Sequence, residues 1–314
     1  MNYETRIITA GKLPCTHIQP KRGLSAKRSF PIVYFHGGGL LLGSRNDLPP
    51  VAIESLCDHG HDVLCLGYPL APEYTLSDIV REIALALLDL ETATFPELRT
   101  GPYAFFGRSS GAYLALLLAK HLEQDLRNNR QETLPHAPSA IICLYGYHDL
   151  RANFIHQPAS RYTSVPHISR TDALRCTLPA GTLITEGAPS TRFSLYAHAR
   201  QTGTWNALIG IDHAHEAAWS LTDDDLRLLP PTYIAAANQD PEIPYETSEH
   251  LAAKIPSARL FIAQANVHEF DNAESLGTRR LYKDIAVFLD AIEEDGPAQH
   301  DAQQQSLRPK SMPA

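Results

Sequence analysis

One serine in this sequence has neighbours suited to nucleophilic chemistry. Ser109 is the centre of the segment GRSSG, residues 107–111, in which a glycine stands two positions to either side of it. Glycines there permit a sharp bend and close packing of a following helix, so that the serine hydroxyl stands clear of the chain. The short pattern alone would also fit a polar loop. Its setting between an apolar run and a helix-forming segment favours a nucleophile on a strand-to-helix turn.

A second segment could stabilise the charge that such a nucleophile creates. His36-Gly37-Gly38-Gly39 directly follows the apolar run PIVYF, residues 31–35. Consecutive glycines leave backbone N–H groups free to donate to an oxygen that gains negative charge. A flexible loop or a phosphate cradle is the alternative, but the G-x-x-x-x-G-K-[ST] and G-x-G-x-x-G patterns of phosphate-binding loops do not follow.

An acid and a base are expected further along the chain. Asp240 follows the apolar run PTYIAA, residues 231–236, and His268 follows ARLFIA, residues 258–263. Both are expected on loops just past strand ends, at the same sheet edge as Ser109. An acid in that position can orient the histidine, which takes the serine proton and later returns it to the leaving group. We therefore predict Ser109, Asp240 and His268 as the catalytic residues.

The segments that must position these residues alternate between strand and helix patterns. Strand patterns are 3–9, 15–19, 31–35, 62–67, 103–106, 140–144, 231–236 and 258–263, and helix patterns are 49–59, 77–90, 111–126 and 275–294. This alternation predicts an α/β fold with a mainly parallel sheet covered by helices on both faces. Ser77 is predicted as the N-cap of the second helix.

The domain organisation predicted from these patterns is one domain, residues 1–294. Between 147 and 227 the strand rhythm stops, which predicts an inserted cap over the carboxyl edge of the sheet, where open α/β sheets bind ligands. Residues 295–314 are rich in Gln, Pro and Ala without a periodic apolar face, and a disordered tail is predicted there.

Composition argues against several other classes of function. The formal net charge is -8, and without a Lys/Arg-rich run nucleic acid is not an expected partner. The sequence has no apolar run of about 18 residues and no signal-peptide pattern at its start, so we expect a cytoplasmic protein without a membrane span. Its five cysteines lack C-x-x-C spacing, which favours buried thiols over disulfides.

Two further features leave alternatives open. His213 and His215 could bind a metal beside Asp212 and Glu216, although without a third ligand cluster a polar loop before a short helix at 217–221 is favoured. Arg108 could meet a substrate carboxylate or pair with an acidic residue beneath the turn, and the pairing is favoured. Six aromatic residues could line a pocket or only pack the insertion: Tyr113, Phe154, Tyr162, Phe193, Tyr196 and Trp205.

With these residues in hand, the sequence resembles the α/β-hydrolase superfamily, and within it the HGGG branch that contains hormone-sensitive-lipase-like carboxylesterases. The likeness covers about residues 31–292, and the chain order Ser109, Asp240, His268 is the α/β-hydrolase order. YPLAPE, residues 68–73, is similar to the branch's Y-R-L-A-P-E segment, with Pro in place of Arg. The nucleophile is flanked by Arg108 and Ser110, where the branch usually has Asp and Ala.

The resemblance implies an α/β-hydrolase fold and a serine hydrolase that needs neither cofactor nor metal. It implies oxyanion donors from Gly38, Gly39 and the N–H of Ser110, with Gly37 close behind them. The expected substrate is a small-molecule ester with a small or medium acyl group, and a homodimer is compatible with the sequence. A small-amide hydrolase or peptidase, an acyltransferase, and a non-catalytic binding protein of the same fold are the alternatives.

Overall fold

A single mixed sheet forms the centre of the computed structural model, which describes residues 2–21, 29–127 and 135–306. In those residues eight strands lie in the spatial order β1-β2-β4-β3-β5-β6-β7-β8. The strands are β1 (Tyr3–Ala10), β2 (Leu13–Pro20), β3 (Ile32–Phe35), β4 (Val63–Leu66), β5 (Ala104–Arg108), β6 (Ala140–Leu144), β7 (Thr232–Ala237) and β8 (Ala258–Ala263). Strands β1, β2 and β4 pair antiparallel in turn, and all the other neighbouring pairs are parallel.

Apolar side chains cover the two faces of this sheet, as its sequence requires. Strands β3, β4, β5 and β6 are buried along their whole length. Alternate residues of β3 belong to different core clusters, with Val33 in one and Ile32 in the other. Because successive side chains point to opposite faces, each face carries its own core. The predicted α/β fold is confirmed.

Helices follow the strands in the predicted alternation. They are α1 (Pro50–Asp58), α2 (Leu76–Asp89), α3 (Glu97–Thr100), α4 (Ser110–Arg127), α5 (Asn153–His156), α6 (Ser160–Thr163), α7 (Arg170–Leu174), α8 (Pro189–Thr202), α9 (Trp205–Leu208), α10 (Asp223–Leu226), α11 (Glu246–Lys254) and α12 (Leu276–Ser306). A π-helical turn, Leu90–Thr94, extends α2. None of the helices in the described part of the chain is long and apolar enough to cross a membrane.

The start of α2 differs from the prediction. Its N-cap is Thr75 rather than Ser77, because Thr75 and Asp78 form a reciprocal capping box. The Thr75 hydroxyl accepts from the backbone N–H of Asp78 at 3.2 Å, and the Asp78 carboxylate accepts from the backbone N–H of Thr75 at 3.3 Å. Two satisfied donors outweigh the single bond that Ser77 could offer.

Residues 147–227 lie between β6 and β7 and contain the six helices α5 to α10. The predicted short helix at 217–221 is instead a run of turns. The Ser220 hydroxyl donates to the Glu216 carbonyl at 2.7 Å and accepts from the N–H of Leu150 at 2.9 Å, so it ties these turns to the segment after β6.

The last helix overlaps the predicted tail. Helix α12 continues to Ser306, through residues 295–306 of the segment for which a disordered tail was predicted. Ala and Gln have favourable helix propensities, so AQHDAQQQ, residues 298–305, can extend a helix whose earlier turns are anchored by the buried Leu281, Ile285 and Leu289. Residues 307–314 of the predicted tail lie outside the described residues.

Candidate active site

Ser109 occupies the tight turn between β5 and α4. Its φ of 53° is in the left-handed region, which a residue other than glycine rarely adopts. A Cβ atom on Gly111 would lie 2.1 Å from the Phe35 carbonyl oxygen, and one on Gly107 would lie 2.2 Å from the Gly111 oxygen. The two glycines are therefore required by close backbone contacts, as the sequence pattern suggested.

His268 and Asp240 lie in line with the Ser109 hydroxyl. The Ser109 Oγ is 2.8 Å from His268 Nε2, and the Asp240 Oδ2 is 2.7 Å from His268 Nδ1. The other carboxylate oxygen, Oδ1, accepts from the backbone N–H groups of Glu242 at 2.8 Å and Ile243 at 3.1 Å. Because an ionised carboxylate only accepts, Nδ1 carries the proton and Nε2 is left to accept from the serine.

The glycine loop after β3 lies beside this serine. A Cβ atom on Gly37 would be 3.4 Å from the Cβ of Ser109. Gly38 has a φ of 106° and Gly39 a φ of 65°, and a Cβ on Gly38 would lie 2.1 Å from the Leu42 carbonyl oxygen. Within the described residues, no hydrogen bond uses the backbone N–H of Gly38 or Gly39. These two donors are available to a bound oxygen.

Two side chains fix the ends of the glycine loop. The Tyr68 hydroxyl donates to the His36 carbonyl at 2.7 Å, and its ring stacks on the His36 ring with centroids 4.2 Å apart. The Ser110 hydroxyl accepts from the backbone N–H of Leu40 at 3.2 Å. The residue after the nucleophile thus contacts the loop through its side chain, in addition to presenting its own N–H.

Residues 68–73 support the same loop from behind. The backbone N–H of Ala71 donates to the Leu40 carbonyl at 2.8 Å. Arg192 of α8 donates to the Leu41 carbonyl at 2.7 Å and to the Glu73 carboxylate at 2.7 and 2.9 Å. Burial raises the pKa of Glu73, but hydrogen bonds from Arg192 and from the backbone N–H of Leu178 outweigh it and lower the pKa overall.

Arg108 points beneath the turn, into a buried polar cluster. Its guanidinium donates to the Tyr145 hydroxyl at 2.6 Å, to the Asp271 carboxylate at 3.1 Å and to the Asp47 carbonyl at 3.1 Å. The favoured interpretation, pairing with an acidic neighbour, is what the structure contains. Sequence reasoning missed Tyr145 and Asp271. The ring of Tyr145 packs edge-on against His268, with ring centroids 4.7 Å apart.

Aromatic residues of the 147–227 segment contact the glycine loop from above. The Trp205 indole N–H donates to the Gly39 carbonyl at 2.9 Å, and a Cβ on Gly39 would lie 2.8 Å from the Tyr196 ring. Of the other four aromatic residues considered, Tyr113 and Phe154 pack on Tyr147, Tyr162 binds the Glu242 carboxylate, and Phe193 is 48% exposed. Tyr196 and Trp205 are therefore the two that reach the site.

The histidines considered as metal ligands have acidic partners of their own. His213 Nδ1 lies 3.0 Å from a Glu216 oxygen, and His215 Nδ1 lies 2.6 Å from an Asp212 oxygen. The described part of the chain contains no group of three or more His, Cys, Asp or Glu side chains arranged to hold a metal ion.

A cavity of about 510 Å³ lies between the segment after β6, the start of α10 and the helix α11. Residues of 147–154, 221–223 and 246–250 line it, and none of these is a catalytic candidate or a loop glycine. Its wall includes the parallel rings of His148 and His250, with centroids 5.1 Å apart.

Comparison with known families agrees with this architecture. The family model described as the alpha/beta hydrolase fold matches residues 32–271. The chain belongs to the α/β-hydrolase family. The resemblance drawn from the HGGG and G-x-S-x-G motifs is therefore confirmed for this hydrolase.

Solved structures of similar fold align with nearly the whole chain. A protein of unknown function from Staphylococcus aureus is 30% identical, with a TM-score of 0.75, and the match covers 92% of this chain and 98% of that one. Carboxyl esterase 2 from Tuber melanosporum is 15% identical, with a TM-score of 0.62, over 93% of this chain and 87% of that one. The second likeness concerns the fold alone.

A curated relative contains only a region similar to this hydrolase. The non-reducing polyketide synthase trt4 of Aspergillus terreus is 30% identical over 169 residues, which are 48% of this chain and 7% of the synthase. The match thus spans a small part of that relative's length.

Proposed function

We propose that this α/β-hydrolase cleaves a carboxylic ester through an acyl-enzyme on Ser109. The observation that carries the proposal is the hydrogen-bonded line from Asp240 through His268 to Ser109, with 2.7 and 2.8 Å between the bonded atoms. A serine, a base within hydrogen-bond reach and an acid that orients the base form the arrangement required for nucleophilic acyl transfer.

In the first half of the reaction, the Ser109 oxygen attacks the ester carbonyl carbon while His268 Nε2 takes the hydroxyl proton. Asp240 holds the imidazole in orientation and stabilises the imidazolium that forms. The tetrahedral intermediate collapses when the bond to the alcohol oxygen breaks, and His268 gives its proton to that oxygen. In the second half, water attacks the acyl carbon while His268 Nε2 takes a proton from the water. His268 then gives that proton to the Ser109 oxygen as the acyl–oxygen bond breaks, which restores the serine and releases the free acid.

The negative charge on the carbonyl oxygen is held by the backbone N–H groups of Gly38, Gly39 and Ser110. Support comes from the two unused donors of the glycine loop and from the position of Ser110 at the first residue of α4. Gly37 lies close to the turn of the nucleophile: an added Cβ would stand 3.3 Å from the Arg108 carbonyl oxygen and 3.4 Å from the Ser109 Cβ. Removing one donor of this kind typically costs about 10²–10³ in kcat.

The choice of an ester rests on the family and on structural neighbours. The fold is similar to that of carboxyl esterase 2 from Tuber melanosporum. Because a fold alone does not determine a function, the proposal also needs the nucleophile, base and acid that acyl transfer to water requires, and this site has candidates for all three. Small or medium acyl groups are proposed because Tyr196 and Trp205 lie directly against Gly39 and restrict the space above it.

Hydrolysis of p-nitrophenyl esters from acetate to laurate, alongside the matching p-nitroanilides, tests this proposal. The wild type is expected to cleave the shorter esters faster than the anilides, and Ser109→Ala to lose the activity. Ser164→Ala, at an exposed serine directly after α6, serves as the matched control and should keep the esterase activity. Adding an alcohol acceptor separates hydrolysis from acyl transfer, because a transferase would form the new ester in place of free acid.

An esterase assignment would be overturned if the folded protein cleaved anilides faster than every ester, or if Ser109→Ala retained wild-type rates. The first result would indicate an amide hydrolase, and the second a different nucleophile.

A further inference from the structure

A buried carboxylate that the proposed mechanism does not use lies two residues after Asp240. Glu242 is 5% exposed and stands on the turn that follows β7. Its backbone N–H is one of the two that donate to Asp240 Oδ1, together with that of Ile243. The residue that carries this carboxylate is therefore bonded directly to the acid that faces His268.

Among the described residues, the side-chain partners of Glu242 all come from the 147–227 segment. Its two oxygens accept from the hydroxyls of Tyr162 at 2.6 Å and Tyr196 at 3.1 Å. Arg200 Nε lies 3.5 Å from one carboxylate oxygen, and Arg161 Nη1 lies 3.9 Å from the other. Arg200 also donates to the Glu242 main-chain carbonyl at 3.2 Å. A buried carboxylate is tolerated only with such partners, so this group binds α6 and α8 firmly to the acid turn.

Helix α8 holds the glycine loop as well as the acid turn. Arg192, near its start, donates to the Leu41 carbonyl at 2.7 Å, and the ring of Tyr196 lies against Gly39. Tyr196 therefore contacts Gly39 with its ring and Glu242 with its hydroxyl. One helix connects the loop that offers the oxyanion donors to the turn that carries the acid.

We propose that Glu242 is a positioning residue of the active site, which anchors the Asp240 turn to helix α8 and so keeps the Asp240 carboxylate directed at His268 Nδ1. The inference rests on the proposed function, because the orientation of Asp240 affects turnover only if His268 is the base. If this carboxylate merely stabilised the fold, replacing it would lower the melting temperature and leave the Asp240–His268 hydrogen bond and kcat unchanged.

Proton NMR in water gives a direct measure of that hydrogen bond. The proton on His268 Nδ1, in a 2.7 Å bond to a carboxylate, is expected far downfield of the amide protons, and its loss in His268→Gln assigns it. In Glu242→Gln the signal should move upfield or broaden away. The same variant should lose about 10–100-fold in kcat on a p-nitrophenyl ester with KM within about threefold, because small displacements of catalytic groups are costly in turnover.

Two further variants keep the test decisive. Tyr162→Phe removes one hydroxyl bonded to Glu242 without changing charge, and it should shift the same signal and kcat in the same direction by less. Glu216→Gln makes the identical change at another buried carboxylate of the same segment, which binds Asn206 and His213 and touches neither Asp240 nor the glycine loop. It should lower stability while leaving signal and kcat at wild-type values. If Glu242→Gln does not fold, Tyr162→Phe alone decides.

The inference fails if Glu242→Gln and Tyr162→Phe fold with a wild-type signal and kcat, or if their changes match those of Glu216→Gln. It also fails if the wild type lacks the signal. The proposed function fails separately: a wild type that shows the signal but cleaves no ester contradicts the esterase assignment, while the response of the signal still tests Glu242.

Discussion

From the described part of the chain the carboxylate of Asp240 accepts three hydrogen bonds, and one of them comes from His268. The other two come from the backbone N–H groups of Glu242 and Ile243, which hold Oδ1 so that Oδ2 faces the imidazole. Because both oxygens of Asp240 accept hydrogen bonds, a side chain of the same size that can accept at only one position should fail in this role.

Asp240→Asn is expected to preserve the fold and to reduce kcat by about 10³–10⁴-fold, because an amide group cannot accept at both positions and the histidine is left in the wrong tautomer. Steady-state hydrolysis of a p-nitrophenyl ester measures the loss. Asp212→Asn, at an exposed aspartate of the 147–227 segment, is the matched control and should behave as wild type. A kcat for Asp240→Asn within a few-fold of wild type would contradict the assigned role.

For individual residues, the sequence predicted those that stand in a recognisable local motif and missed those that do not. Ser109 and the glycines stand in motifs, and Asp240 and His268 follow apolar runs, so their placement at one sheet edge could be inferred. Glu242 has no local pattern, because Tyr162, Tyr196 and Arg200 reach it only through the fold. Tyr145 and Asp271 were missed for the same reason: they surround Arg108 from different loops.

Among the elements, α4 depends on an unusually close approach to β3. Gly111 lies in the first turn of α4, and an added Cβ would meet the backbone oxygens of Phe35 at 2.1 Å and His36 at 2.4 Å. Backbone atoms of a buried strand cannot move aside as a flexible side chain can. The helix itself would have to shift, and Ser109 with it.

Gly111→Ala is therefore expected to lower the free energy of unfolding by about 3 kcal/mol or more, as overpacking of a core does. Gly181→Ala is the control: Gly181 has a φ of 82°, and nothing lies within 4 Å of its added Cβ. That variant should lose only about 1–2 kcal/mol, the cost of a left-handed backbone for a residue with a Cβ. Urea unfolding of both variants measures the difference, and equal losses would refute the steric argument.

Element by element, the sequence predicted the sheet and its covering helices better than the segment between β6 and β7. Short, mostly apolar runs identify β3 to β8, and helical spacing identifies α4, whatever surrounds them. The short helices α5 to α10 depend on contacts with the rest of the molecule, such as Tyr162 and Tyr196 with Glu242. Local patterns could not reveal them, and the helix expected at 217–221 is a run of turns.

For the whole molecule, buried and partly buried histidines make stability depend on pH. Burial, and secondarily the nearby His250, lowers the pKa of His148 to about 4 from an ordinary value of 6.5. Burial likewise lowers the pKa of His36 and His61. The unfolded chain binds protons more readily at these rings, so the stability they contribute is complete above pH 6.5 and is lost as the pH falls toward 4.

Urea unfolding at pH 7 and pH 4.5 measures this dependence. The wild type should lose stability between the two, with about 2 kcal/mol attributable to His148 alone, because the ring is only partly protonated in the folded state at pH 4.5. His148→Gln should show a smaller loss, and His213→Gln, whose side chain is 92% exposed, should match the wild type. An identical loss in wild type and His148→Gln would show that the fold does not favour the neutral form of His148.

The central claim, that Ser109 is an activated nucleophile, is tested most directly by a fluorophosphonate probe. Wild type, Ser109→Ala and His268→Gln are incubated with the probe, and the adducts are read by intact mass and peptide mapping. The account predicts one probe mass on Ser109 in the wild type, none in Ser109→Ala and much slower labelling in His268→Gln. A folded wild type that takes up no probe, or an adduct that persists in Ser109→Ala, would contradict it.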